Sequence, residues 1–164
     1  SLGIPWFATS LCAVDSQGLL ASLVCNQATG TTYIAARGLG AELDGNPISP
    51  SSTSRVEDSI LVVNGLPPDY FGWKQYRCLG SAALDLCSVA DGTFDGFADF
   101  SSGLALWDYA GAALICLESG VVISKTNGTK LDFEDLLRSP SSRINLIAAG
   151  TPSLHENLNG NVDV

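Results

Sequence analysis

Positive charge and histidine are both scarce in this chain. Only 8 lysines and arginines stand against 17 acidic residues, for a formal net charge of −9, and the sole histidine is His155. So few cations cannot build the Lys/Arg surface that neutralises a run of phosphates, which argues against a nucleic-acid partner. One histidine near the tail leaves no His/Cys zinc site, and a Ser-His-Asp device would need that tail to fold back onto a serine. Cys12, Cys25, Cys78, Cys87 and Cys116 contain no C-x-x-C pair and are odd in number. That spacing gives no redox pair, so they read as reduced, buried residues and not as a disulfide frame or a redox centre. The phosphate loop G-x-x-x-x-G-K-[ST], the nucleophile elbow G-x-S-x-G and a cysteine six positions before an arginine are all missing. No apolar run reaches membrane-spanning length, and the first residues have neither a basic n-region nor a long apolar h-region. The expectation is a cytoplasmic protein without a membrane partner.

What is present suits a folded domain. A length of 164 residues with 46% apolar composition sustains a core for one domain or two small ones. The acidic balance does not forbid an anionic substrate, because a bound divalent cation is usually the largest charge in its site and reverses the local sign. Asn127-Gly128-Thr129 fits a glycosylation sequon but reads as a turn.

Short β-prone runs at Phe7 to Val14, Leu19 to Cys25 and Thr32 to Ala36 alternate with turn residues and predict an antiparallel meander. Asp44-Gly45-Asn46 has the composition of a tight turn. The polar stretch Ser49 to Asp58 marks a boundary, dividing the chain into a meander over 1–52 and an α/β part over 53–164. In the second part Ser59 to Val63 reads as a buried strand, Gly80 to Ala90 as a helix, and Phe94 to Phe100 as a half-buried strand. Leu104 to Ser119 reads as a helix stopped by Gly120, and Val121 to Ser124 and Ile144 to Ala149 as strands. Asp132 to Leu137 predicts a helical turn, and the polar tail from Glu156 is expected to fray. This succession predicts a layered α/β fold. The meander is apolar on both faces, yet residues 1–58 hold no helix to cover it, which points to missing chain.

The segment Leu106-Trp107-Asp108-Tyr109-Ala110-Gly111-Ala112-Ala113 follows Arg77-Cys78-Leu79-Gly80-Ser81-Ala82-Ala83-Leu84-Asp85 and Gly92-Thr93-Phe94-Asp95-Gly96-Phe97. Upstream stand Gly38-Leu39-Gly40-Ala41, Asp44-Gly45-Asn46-Pro47-Ile48 and the opening Gly3-Ile4-Pro5-Trp6-Phe7. In this order and spacing the segments resemble the inositol monophosphatase superfamily over most of the chain. The resemblance implies a layered α/β sandwich of the sugar-phosphatase type, represented by its C-terminal part. It implies a Mg²⁺-dependent phosphomonoesterase acting on inositol or sugar phosphates, with Asp108 as a metal ligand. Gly80, Ser81 and Ala82 would contact substrate hydroxyls from a helix start. Without the resemblance, Asp108 would read as a first-turn aspartate stabilising the helix macrodipole, and Ser81 as an N-cap. Asp85 and Asp95 fit turn or interface hydrogen bonds, and Arg77 a dimer contact or a solvated side chain.

Two departures sharpen the implication. Where inositol-specific members carry a glutamate seven residues before the metal aspartate, this chain has Ser101, and Asp99 two residues earlier resembles archaeal and bacterial members that also accept fructose 1,6-bisphosphate. Asp99 and Ser101 are therefore candidate substrate contacts. The family's Gly-Glu-Glu and Asp-Pro-x-Asp-Gly-Thr motifs do not occur, and one carboxylate cannot replace them. No catalytic residue is assigned within the chain, which is expected to be inactive alone. The partners implied are a small phosphate monoester, the missing N-terminal half in cis or in trans, and a second copy in a homodimer. The competing reading is a non-catalytic binding or assembly module on the phosphatase scaffold.

Overall fold

Side chains alternate across a strand, so a meander must choose an inside. The computed structural model describes residues 3–162 and shows that choice. Strands β1 (Ala8–Asp15), β2 (Gly18–Asn26), β3 (Thr32–Ala36), β4 (Gly40–Leu43) and β5 (Asn46–Pro47) form an antiparallel sheet in sequence order. Val24, Tyr33 and Ala35 face inward and are buried, while Leu11 and Ile34 face outward and are exposed. Asp44 and Gly45 join β4 to β5, both at positive φ, as a two-residue hairpin turn requires.

After a single 3-10 turn at Val56–Asp58, a second sheet begins with β6 (Ile60–Asn64) and β7 (Gln75–Arg77). Helix α1 (Ala82–Ala90), strand β8 (Gly96–Asp99), helix α2 (Leu106–Ser119) and strand β9 (Val122–Lys125) follow. Helix α3 (Phe133–Arg138), strand β10 (Leu146–Ala149) and helix α4 (Pro152–Val162) complete the described residues. The second sheet has the order β7-β6-β8-β10-β9, with β6 parallel to both neighbours and β10 antiparallel to both of its own.

The layers are the meander sheet, then α1 and α2, then the second sheet, then α4. Val62, Phe97, Leu146 and Ala148 join the core between the sheets, whereas Leu61, Val63, Ile147 and Ala149 join the one under α4. A sheet covered on both faces explains why β6 and β10 are unbroken apolar runs. It also corrects the expectation of a half-buried strand near Phe94 to Phe100, because every residue of β8 is buried. The tail is corrected too. From Pro152 it forms α4, and Leu154 and Leu158 are buried against the second sheet; residues 163 and 164 lie outside the described residues.

Helix α2 is buried on nearly all sides because it lies between two sheets. A Cβ at Gly111 would come within 2.7 Å of Ser10 Oγ, so glycine there lets β1 lie against the helix. Gly120 ends the helix in the left-handed conformation, as expected. On the outer side of the meander, Leu11, Leu23, Ile34 and Leu39 line a shallow open cavity of about 500 Å³. Among the described residues no helix is long and apolar enough to cross a membrane.

Candidate active site

In open α/β sheets the crevice beyond the carboxyl ends of the strands is where ligands collect. Asn64 ends β6 and Asp99 ends the parallel strand β8, and the two are register partners. The chain leaves β6 through Gly65 at φ +88°, where a Cβ would lie 2.9 Å from the Phe100 carbonyl carbon and the Ser101 nitrogen. Only glycine permits this crossing. Asp99 is buried, and its Oδ1 accepts hydrogen bonds from Ser101 Oγ (2.6 Å), Asn64 Nδ2 (3.0 Å) and the Ser101 backbone N–H (3.1 Å). Its Oδ2 accepts from Asn145 Nδ2 at 3.0 Å. These bonds compensate the desolvation of the carboxylate.

Helix α1 starts beside this pair. Gly80 has φ +96°, and Ser81 is the extended N-cap residue without a side-chain capping bond, so its hydroxyl is left open to other partners. One turn further, Asp85 is fully buried; its Oδ1 accepts the Trp6 indole N–H at 2.7 Å, and among the described residues its Oδ2 has no hydrogen-bond partner. Burial pushes this carboxyl up to about 7, partly offset by the indole and the neighbouring Ser81 and Gly80 amides.

The start of α2 forms the facing wall. Asp108 lies in its first turn, partly exposed, and its Oδ2 accepts the Ala105 backbone N–H at 2.9 Å. Among the described residues Asp108 Oδ1 makes no hydrogen bond, which leaves it for another partner. Asp108, Gly80, Ser81, Ala82, Asn64 and Ser10 line one cleft of about 400 Å³. The structure thus gathers Gly80, Ser81, Ala82 and Asp108 but sets Asp99 and Ser101 behind the lining. Ser101 Oγ donates to Asp99 and accepts the Gly103 N–H, and both residues meet the cleft through Asn64.

The donor set can be tested against Mg²⁺, which takes near-octahedral oxygen ligands. Asp108 Oδ1 suits one ligand position. Among the described residues no group of three or more His, Cys, Asp or Glu side chains could hold a metal ion, so the remaining ligands are not in this set.

Other residues singled out from the sequence have structural partners. Asp95 accepts Ser51 Oγ at 2.6 Å and the Ile60 N–H at 2.7 Å, tying the inter-sheet segment to β6. Arg77 is exposed and donates to the Tyr76 carbonyl and Gln75. The tail does fold back onto a serine, since His155 Nε2 lies 2.9 Å from Ser124 Oγ. Both side chains are buried, burial lowers the His155 pKa, and no carboxylate hydrogen bond to the ring occurs among the described residues, so the pair is no triad. The five cysteines are free as expected, with Cys87 and Cys116 buried, but Cys78 is exposed.

Comparison with known proteins shows which family the chain belongs to. The inositol monophosphatase family pattern matches residues 2–163. The chain belongs to the inositol monophosphatase family. A fructose-1,6-bisphosphatase/inositol-1-monophosphatase of Methanothermobacter thermautotrophicus is 33% identical over 162 residues, covering 89% of this chain and 54% of the relative. Nus factor SuhB of Escherichia coli is 33% identical over 143 residues, covering 76% of this chain and 51% of that protein. The crystal structure of the MJ0109 gene product, an inositol monophosphatase-fructose 1,6-bisphosphatase, superposes with a TM-score of 0.84 at 26% identity, covering 96% of this chain and 63% of that one. The chain therefore spans only about half of these curated relatives' length.

Asn64 and Ser10, which line the cleft, and Trp6, which bonds Asp85, were not singled out as site residues from the sequence. A signal existed for Asn64: a polar residue followed by glycine closes an otherwise apolar strand, Ile60-Leu61-Val62-Val63-Asn64-Gly65.

Proposed function

We propose that this chain forms part of a Mg²⁺-dependent phosphomonoesterase acting on inositol or sugar phosphates, and that further carboxylates supplied in cis or in trans complete its metal site. The observation that carries the reading is the Asp108 carboxylate facing the Gly80-Ser81-Ala82 helix start across one cleft, in a chain of the inositol monophosphatase family. Mg²⁺, when bound, polarises a phosphoryl oxygen and acidifies water near neutral pH, which makes a histidine base unnecessary. Asp108 Oδ1 would hold the metal while Oδ2 stays fixed to the Ala105 N–H. Gly80, Ser81 and Ala82, being small, let a polyol approach the backbone, and the Ser81 hydroxyl orients it.

Two features support a further segment: the relatives are much longer than this chain, and the outer face of the meander over 1–52 carries the exposed apolar side chains Leu11, Ile34 and Leu39. The test joins the chain to a polypeptide bearing the missing metal carboxylates and measures Mg²⁺-dependent phosphate release from inositol 1-phosphate and fructose 1,6-bisphosphate. Release that requires both parts and the metal is expected. Absence of release with both parts folded contradicts the proposal.

The similarity to a protein named as a Nus factor favours a second reading, a non-catalytic assembly module on the same scaffold. Under it, the folded, completed protein binds a protein partner but releases no phosphate.

A further inference from the structure

The pairing of Asn64 with Asp99 fixes more than the strand register. A buried carboxylate accepts hydrogen bonds and donates none, so Asp99 Oδ1 at 3.0 Å can be met only by the Asn64 NH₂ group. Ser101 Oγ stands 3.3 Å from the same nitrogen. The amide is thereby oriented: its nitrogen points back into the Asp99-Ser101-Asn145 network, and its carbonyl oxygen is turned away from it. Among the described residues Asn64 Oδ1 accepts no hydrogen bond, and Asn64 lines the cleft with Gly80, Ser81 and Asp108. An oriented acceptor with no partner in the chain, beside a helix start rich in small residues, suits a hydroxyl donor on a ligand.

We infer that Asn64 is a specificity-determining substrate contact, its Oδ1 accepting a hydrogen bond from one hydroxyl of a polyol phosphate. Asp99 is then a positioning residue, acting on substrate only through Asn64. The inference rests on the phosphatase reading above and assigns a role to a residue outside the Asp108 and Gly80-Ser81-Ala82 set. It also gives the buried Asp99 network a purpose. Only a fixed acceptor at position 64 discriminates a hydroxyl from a hydrogen.

The test uses the completed, metal-loaded protein and a series of singly deoxygenated inositol phosphates. For wild type, removing one particular hydroxyl is expected to lower kcat/KM about 5- to 10-fold, the range of a single neutral hydrogen bond. Asn64→Ala is expected to raise KM for the complete substrate by a similar factor with kcat within about 2-fold, and to show no further loss with that one analogue. A residue that only supported the fold would instead lower activity toward every analogue alike. A readout free of mutation is the Asn64 side-chain amide in ¹⁵N-labelled wild-type protein. Its resonance should shift on adding inositol 1-phosphate and stay in place with the critical deoxy analogue. Equal analogue profiles for wild type and Asn64→Ala, with phosphate release intact, overturn the inference and leave the phosphatase reading standing. No release by wild type overturns both.

Discussion

Asp85 shows how one residue can make the molecule sensitive to pH. Its carboxyl is raised to about 7 by burial, only partly offset by the Trp6 indole and the Ser81 and Gly80 amides. An unfolded chain ionises an aspartate near 4, so between about pH 4 and pH 7 the folded state binds the extra proton. Stability from this group is therefore full below about pH 4 and lost as pH rises through 7. Asp85→Asn, which keeps the oxygen facing Trp6, should remove that slope and stabilise the protein at about pH 8 by roughly 2–4 kcal/mol. Urea unfolding of both proteins at about pH 5 and pH 8 measures it; equal slopes would contradict the account. Gly65 makes an opposite prediction. Alanine there combines a positive φ with a 2.9 Å approach to the Ser101 backbone, so Gly65→Ala should cost roughly 2–4 kcal/mol and disturb Asn64. At this scale Asp108 and Gly80-Ser81-Ala82 stand out in the sequence because each sits in a contiguous motif, and the structure brings them to one cleft. Asn64 does not, because its meaning depends on a register partner 35 residues away in β8.

Elements were legible where one period dominates. Helix α2 and strands β6 and β10 announce themselves by continuous apolar character, and the meander by its alternation and turns. Helix α4 was hidden because its apolar contribution is two leucines, Leu154 and Leu158, in a polar segment. The start signal was nevertheless present: Thr151 Oγ1 accepts the Leu154 N–H at 3.3 Å and Pro152 occupies the first helical position. Leu158→Ala should cost about 2–4 kcal/mol, read from the urea midpoint, because the side chain is buried under the second sheet. A fraying tail would lose nothing measurable. Strand β7 and the loop before it had no readable period. They are held by edge-to-face contacts of Tyr70, Phe71 and Tyr76 around Trp73, which arise from tertiary packing alone.

On the scale of the whole molecule, the unequal covering of the two sheets matters most. The second sheet is sandwiched between α1/α2 and α4, while the meander has helices on one face and an apolar surface on the other. The expectation that this meander needs a second cover came from residues apolar on both faces, and Leu11 and Ile34 are exposed on the outer one. Taken alone, the chain should bind a hydrophobic dye and self-associate through that face, and Leu11→Lys with Ile34→Lys should reduce both. Dye fluorescence and sedimentation check this; unchanged values would place the sticky surface elsewhere.

The central claim is that the cleft between α1 and α2 is one wall of a metal-dependent phosphatase site. Its most direct measurement is Mg²⁺-dependent phosphate release by the completed protein with Asp108 intact and with Asp108→Asn. The substitution keeps the acceptor for the Ala105 N–H but removes the ligand charge. The account predicts a loss of about 100-fold or more in kcat with unfolding free energy changed by less than about 1 kcal/mol. A folded Asp108→Asn protein releasing phosphate at the wild-type rate would contradict it.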